Sequence, residues 1–139
     1  MNVFDIVGPV MVGPSSSHTA GAARIGLAAR ALLDEEPARA DILLHGSFAK
    51  TWRGHGTDKA LVAGILGLMP DDERLRESLG LAQRAGLEIV ISETVLEGAH
   101  PNTALITLTG RSGRTVTVQG ASVGGGNILV SRVNGMEAA

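Results

Sequence analysis

The stretch TALITLTGRSGRTVTVQGA, residues 103–121, decides the fold because it predicts two strands joined by a short loop. The central GRSG, residues 110–113, is a typical hairpin signal. Threonines alternate with valines at positions 115–118, as expected for a strand with one face toward solvent. Working outward, apolar runs predict further strands at 87–93 and 127–133.

A fifth strand is expected at residues 41–46, whose poor alternation indicates burial on both faces. Apolar residues at steps of three and four predict a helix ending near Leu33, with Ser17 or Thr19 as its N-cap. Residues 53–59 are predicted to form a loop in which Thr57 or Asp58 caps a helix at 60–68.

A third helix, capped by Asp71-Asp72 and stopped at Gly86, completes the pattern. The order helix, strand, helix, helix and then strands favours an α+β fold over a doubly wound one. We therefore expect one domain over residues 1–139, with a mixed or antiparallel sheet and helices mainly on one side.

Composition excludes several functional classes. The 139 residues include no cysteine, which rules out a disulfide scaffold, a thiol nucleophile and a cysteine-ligated cluster held by this chain alone. A net charge of −2 with scattered basic residues and only three aromatic residues argues against nucleic-acid binding. No membrane span or signal peptide is visible, so we expect a cytoplasmic protein.

Four glycine-containing segments carry polar, reactive side chains, and all fall at predicted element junctions. They are GPSSSHT at 13–19, GHGTD at 54–58, GAHPNT at 98–103 and GGGN at 124–127. In the first, the hydroxyls of Ser15, Ser16, Ser17 and Thr19 with His18 precede or open a helix. That arrangement suits a carboxylate or phosphate, although a simple helix cap explains it as well.

His55 lies between two glycines, so a ligand could approach its ring closely, and imidazole suits proton transfer near neutral pH. The alternative is an exposed histidine without a role. Asp58 could orient the ring or serve only as a cap. His100 and Asn102 could bind a polar substrate group or form a plain turn.

The run Gly124, Gly125 and Gly126 could present backbone N–H groups to an anion, or form a bulge. His45 ends a strand and is interpreted as structural. No HxH or HExxH spacing supports a metal site, so we expect no metal ligand in this chain.

Taken together, these motifs resemble the β chain or β domain of bacterial iron–sulfur L-serine dehydratases. GPSSSHT and GHGTDKA in this order are the most specific part of the likeness, which extends through HPNT at 100–103 and SVGGG at 122–126. The resemblance implies an L-serine ammonia-lyase that forms pyruvate and ammonia. It also implies a fold related to the allosteric substrate-binding domain of some phosphoglycerate dehydrogenases.

The resemblance further implies a partner α chain whose cysteines hold a 4Fe–4S cluster that acts as a Lewis acid on the substrate hydroxyl. In this chain it assigns His55 as the base for the Cα proton. The 15–19 motif would hold the serine carboxylate or amino group, and His100, Asn102 and Gly124 to Gly126 would contribute more weakly.

Two-chain enzymes of this type usually continue into an ACT-like domain, whereas this sequence stops at Ala139. We therefore expect a truncated form or a shortened subunit that has no dehydratase activity alone. Two alternatives stay open: a non-catalytic regulatory module that binds serine or a related anion, and an assembly domain that forms a homodimer through its strands.

Overall fold

The computed structural model describes residues 17–137, and the side chains of residues 17, 18, 54 and 55 lie outside that description. The helices are α1 (Ser17–Leu33), α2 (Ser47–His55), α3 (Thr57–Ile65) and α4 (Ser78–Arg84), with a 3₁₀ helix at Glu73–Glu77. The strands are β1 (Pro37–Gly46), β2 (Glu88–Thr94), β3 (Asn102–Gly110), β4 (Thr115–Gly124), β5 (Asn127–Val133) and β6 (Met136–Glu137).

The six strands form one mixed sheet in the order β2-β1-β3-β4-β5-β6. Strands β1 and β2 are parallel, and every other neighbouring pair is antiparallel. The β3–β4 hairpin turns at residues 110–113, where the sequence predicted it. The predicted α+β fold with a mixed sheet is thus confirmed.

One hydrophobic core joins the helices to a single face of the sheet. Alternate residues of the central strands point into it, for example Ile42 and Leu44 of β1 and Ile106 of β3, and all three are 1% exposed or less. Phe48 of α2 is fully buried in the same core. On the other face, Thr107 and Thr117 form a hydroxyl–hydroxyl hydrogen bond of 3.2 Å across β3 and β4.

Helix α1 forms because its apolar residues recur at helical spacing and all reach the core. Ala22, Ile25, Ala29 and Leu33 are fully buried. The helix ends at Leu33, after which Asp34 adopts a left-handed conformation with φ of 58° and donates its N–H to the Arg30 carbonyl at 3.0 Å.

The structure contradicts the predicted loop at 53–59. Helix α2 runs to His55 and α3 starts at Thr57, so Gly56 alone separates them, with φ of 78°. Glycine reaches this left-handed conformation without steric cost, which lets the chain change direction in one residue. Helix α3 starts three residues earlier than predicted, at Thr57, and also ends three residues earlier, at Ile65.

Three further predictions are wrong in detail. Strand β1 buries one face rather than both, because Leu43 and His45 on the outer face are only half-buried. Thr19 is not a cap but a buried residue inside α1, and Ser17 already belongs to that helix. Thr57 and Asp58 also lie inside their helix, whose N-cap is Gly56 without a side-chain cap bond.

Candidate active site

Two of the four candidate segments meet at one end of the sheet. Gly46, the last residue of β1, pairs with Asn102, the first residue of β3. Gly124, which ends β4, pairs with Asn127 at the start of β5. Since β3 and β5 run antiparallel to β1 and β4, the 98–103 loop and the 124–126 turn lie at the same edge.

The first turns of α1 lie at this edge too. Gly21 packs against Ser122 of β4, and a Cβ built on Gly126 would lie 3.5 Å from the Ala20 Cβ. Arg24 Nη1 donates a 2.8 Å hydrogen bond to the Gly126 carbonyl. Residues 17–19, the described end of the 13–19 segment, therefore lie next to the edge that carries the glycine turn. Ser15 and Ser16 lie outside the described residues, and Ser17 and His18 are described only by their backbone.

Helix α3 brings the 54–58 segment to the same end. The two helices touch at Gly26 and Gly64, and further along both of them Arg30 donates to the Ile65 carbonyl at 2.9 Å and lies 3.4 Å from a Cβ built on Gly67. Because the two helices run in the same direction side by side, Gly56 and Thr57 lie at the level of the first turns of α1.

Helix α2 is attached both to the loop before β3 and to the end of β2. The backbone N–H of Ser47, in its first turn, donates to the Pro101 carbonyl at 2.7 Å. Trp52 Nε1 donates to a Glu93 carboxylate oxygen at 2.9 Å, which fixes the middle of the helix to the end of β2. His55 is the last residue of α2, directly before Gly56.

Three helices thus begin at one end of the sheet. The first N–H groups of a helix have no partner within it, and its dipole makes that end positive. The first turn of α1 carries no acidic residue, whereas Asp58 lies in the first turn of α3. Asp58 uses one carboxylate oxygen locally, accepting from the Lys59 N–H at 2.8 Å. This end of the fold is suited to an anionic group of a small ligand.

His100 and His45 each accept a backbone hydrogen bond at Nδ1, but they differ in exposure and in the segment that the bond holds. His100 Nδ1 accepts from the Asn102 N–H at 3.0 Å, so the neutral ring carries its proton on Nε2. His100 is exposed at the candidate edge. His45 Nδ1 accepts from the Leu96 N–H at 2.9 Å and holds the 95–101 loop, in agreement with its structural interpretation.

The β4–β5 turn is built from conformations that favour glycine. Gly124, Gly125 and Gly126 have φ of 108°, 63° and 81°, in the region that L side chains rarely adopt. Gly124 and Gly125 are exposed, whereas Gly126 is buried against α1. Backbone N–H groups at such a turn can face an anion without interference from side chains.

Two residues at this edge were missed as candidates from the sequence. Ser122 is 1% exposed, and within residues 17–137 its Oγ has no hydrogen-bond partner. Arg24 reaches across to the glycine turn, as described above. The signal for Arg24 was its spacing, because positions 17, 20, 21 and 24 form one stripe of a helix.

The donor set does not fit an iron–sulfur cluster. The chain has no cysteine, and among the residues that the structure describes no three histidine or acidic side chains gather as metal ligands. In addition, no helix in the described part of the chain is long and apolar enough to span a membrane.

A sequence model of the family described as "Serine dehydratase beta chain" matches residues 2–85. The chain is 47% identical over 136 residues to a probable L-serine dehydratase beta chain of Bacillus subtilis (strain 168), covering 98% of this chain and 61% of that protein. It is 45% identical over 136 residues to the L-serine dehydratase beta chain of Peptoniphilus asaccharolyticus, covering 97% and 61%.

A longer relative shows a weaker likeness over nearly the whole chain. The chain is 32% identical over 160 residues to the L-serine dehydratase of Mycobacterium tuberculosis (strain CDC 1551 / Oshkosh), covering 97% of this chain and 34% of that protein. The coverage of 61% means that the chain spans about three-fifths of the length of each of the two beta chains named above.

Proposed function

Because the chain belongs to the serine dehydratase beta-chain family, we propose that it is the beta part of an L-serine ammonia-lyase. The reaction removes water from L-serine, and hydrolysis of the resulting imine gives pyruvate and ammonia. The observation that supports the proposal is that the 98–103 loop, the 124–126 turn, the first turns of α1 and the start of α3 lie at one end of the sheet. Helix capping alone does not explain why segments so distant in sequence share this edge.

In this proposal the chain supplies the substrate grip. The 15–19 motif, of which residues 17–19 belong to α1, binds the carboxylate or the amino group of serine, and the glycine turn at 124–126 faces the same group with backbone N–H donors. His100 and Asn102, at the start of the neighbouring strand β3, contribute further polar contacts to the substrate. These contacts hold the substrate in one orientation, which lowers the entropic part of the barrier.

We assign proton abstraction to His55. The base removes the Cα proton and the C–H electron pair forms the Cα–Cβ double bond. The hydroxyl group leaves Cβ with the C–O electron pair and takes up a proton to become water. The product, 2-aminoacrylate, tautomerises to the imine. Two features of the sequence favour His55: an imidazole suits proton transfer near neutral pH, and both of its chain neighbours, Gly54 and Gly56, lack a side chain. Asp58, in the next helix, is the candidate to orient it.

The cofactor belongs to a second chain in this proposal. Since this chain lacks cysteine, a 4Fe–4S cluster would be held by the cysteines of a partner α chain, and neither chain would be active alone. The edge described above is then the surface that the partner completes.

The first experiment reconstitutes the chain with its cysteine-bearing partner under anaerobic conditions and measures pyruvate release from L-serine. We expect turnover in the complex and none with either chain alone. A reconstituted complex that releases no pyruvate would overturn the proposed function.

The second experiment tests the base. His55→Ala should lower kcat by about 10²–10⁴-fold, as removal of a general base does. Lys50→Ala is the matched control, because Lys50 is an exposed residue of the same helix. If His55→Ala stays within about twofold of the wild-type complex, another group is the base.

Calorimetry separates the catalytic proposal from the regulatory alternative. A site shared between two chains predicts that L-serine binds the complex and not the isolated beta chain. Saturable binding to the isolated chain, with no pyruvate formed in the complex, would favour a regulatory module.

A further inference from the structure

Arg24 joins two segments of the candidate site that are far apart in sequence. Its Nη1 donates to the Gly126 carbonyl at 2.8 Å across 102 residues of chain. A Cβ built on Gly126 would lie 3.6 Å from the same nitrogen, so the guanidinium lies directly over the turn. Arg24 thereby links α1 to the β4–β5 connection at the edge where the candidate segments meet.

The linked turn depends on external support for its shape. Its three glycines have positive φ, and glycine loses more conformational freedom on ordering than any other residue. Gly124 and Gly125 are exposed, so little protein surrounds them. A hydrogen bond from a charged donor to the last carbonyl of the turn restricts the remaining motion.

Arg24 lies on the face of α1 that is turned toward the end of β4 and the glycine turn. Positions 17, 20, 21 and 24 form one stripe of α1, and Ala20, Gly21 and Arg24 of that stripe all contact Ser122 or Gly126. The hydrogen bond from Arg24 to Gly126 therefore holds the glycine turn at a fixed distance from the first turns of α1. A change at position 24 alters the opening between these two groups of N–H donors.

We propose that Arg24 is a positioning residue that holds the glycine turn at the correct distance from α1 for substrate binding. This inference rests on the proposed function, in which both elements grip the substrate. Arg24 acts through Gly126, so its loss affects ground-state and transition-state binding alike. Uniform loss of binding raises KM and leaves kcat nearly unchanged.

Arg30 provides a matched control on the same helix. Its Nη1 donates to a backbone carbonyl, that of Ile65, at 2.9 Å. Helix α1 runs away from the candidate edge, so this second link lies near its far end. Arg30→Met removes the same charge and the same kind of hydrogen bond as Arg24→Met.

The test uses the reconstituted complex with Arg24→Met, Arg24→Lys and Arg30→Met. We expect Arg24→Met to raise KM for L-serine about tenfold, as the loss of a charge-assisted hydrogen bond does, with kcat within about twofold. Arg24→Lys keeps a cationic donor and should recover part of the loss. Arg30→Met should keep the wild-type KM.

Amide hydrogen exchange gives a readout besides activity. Residues 124–127 should exchange faster in Arg24→Met than in Arg30→Met, with Arg24→Lys between them. An active wild-type complex in which Arg24→Met matches Arg30→Met in KM and exchange would overturn this inference alone. An inactive wild-type complex would instead overturn the proposed function. If Arg24→Met does not assemble, Arg24→Gln takes its place, and a KM and an exchange rate equal to those of Arg30→Met would overturn the inference.

Discussion

Gly21 of α1 lies directly against Ser122 of β4. A methyl group on Gly21 would overlap the Ser122 Oγ and come within 2.7 Å of its Cβ. Helix and strand therefore touch where only a hydrogen atom fits. This contact sets the height of α1 above the end of the sheet, and hence the distance between its first turns and the glycine turn.

Gly21→Ala should lower the free energy of unfolding by about 1–3 kcal/mol, because the added methyl group forces the helix or Ser122 to move. Adding Ser122→Gly removes the overlapping atoms, so the double variant should be more stable than the sum of the two single effects, by at least about 0.5 kcal/mol. Urea unfolding monitored by the single tryptophan, Trp52, measures this.

Gly80→Ala is the control for that measurement. Gly80 is an exposed residue of α4, and a methyl group added to it would have no other atom within 4 Å. The change should leave stability unaltered or raise it by about 0.5–1 kcal/mol through helix propensity. Strictly additive effects of Gly21→Ala and Ser122→Gly would show that the two residues do not compete for space.

The contact between α1 and α3 predicts a more severe effect. A Cβ on Gly64 would overlap the Ala23 carbonyl oxygen and lie 2.7 Å from the Leu27 nitrogen. Both obstacles are helix backbone, which cannot rotate away as a side chain can. Gly64→Ala should therefore cost about 3 kcal/mol or more, in excess of the cost of Gly21→Ala in the same urea assay. A smaller cost than that of Gly21→Ala would mean that the helices separate easily.

Periodicity predicted most of the framework because burial of one face governs these elements. Helix α1, the β3–β4 hairpin and β5 lie within a few residues of their predicted bounds, and Asp72 caps the 3₁₀ helix by accepting the Arg74 N–H at 2.8 Å. Each of these elements depends on local spacing and on one buried side, which a single sequence displays.

The region around His55 was predicted incorrectly because tertiary contacts decide it. Glycines at 54 and 56 indicate a loop. However, Phe48 is fully buried in the core, and the Trp52 ring nitrogen donates a hydrogen bond to Glu93. These contacts hold α2 as a helix up to His55, and Gly56 needs only one left-handed residue to start α3. The sequence predicted the reactive segments but not the parallel packing of α3 on α1 that brings two of them together.

Acid should weaken the link between the α1–β1 connection, which carries Glu35, and the β3–β4 hairpin. Glu35 accepts from the Ser112 hydroxyl at 2.7 Å and from the Ser112 N–H at 2.8 Å, and these bonds lower the pKa of Glu35 from its usual 4.5. A lowered folded-state pKa means that the carboxylate contributes stability above about pH 4.5 and loses it as pH falls through the folded-state value.

Glu35→Gln should therefore reduce the loss of stability between about pH 6 and about pH 3, measured by urea midpoints. Glu36→Gln is the control, because it removes a neighbouring carboxylate while the Glu36 carbonyl still accepts the Arg111 N–H at 3.0 Å. An equal acid response in wild type and Glu35→Gln would contradict the assignment.

Substitutions at two glycines with positive φ can distinguish a structural from a functional role of the β4–β5 turn. Gly125 has φ of 63° at the candidate edge, and Gly113 has φ of 92° in the hairpin at the opposite end of the sheet. Within 4 Å, a methyl group on Gly113 would meet nothing, and one on Gly125 would meet only the Asn127 amide nitrogen, at 3.7 Å. Alanine at either position should cost about 1–2 kcal/mol, because both replace a left-handed glycine.

In the reconstituted complex, only Gly125→Ala should raise KM for L-serine, since it alters the N–H groups proposed to face the substrate. Equal KM values for the two variants would assign the glycine turn to folding alone.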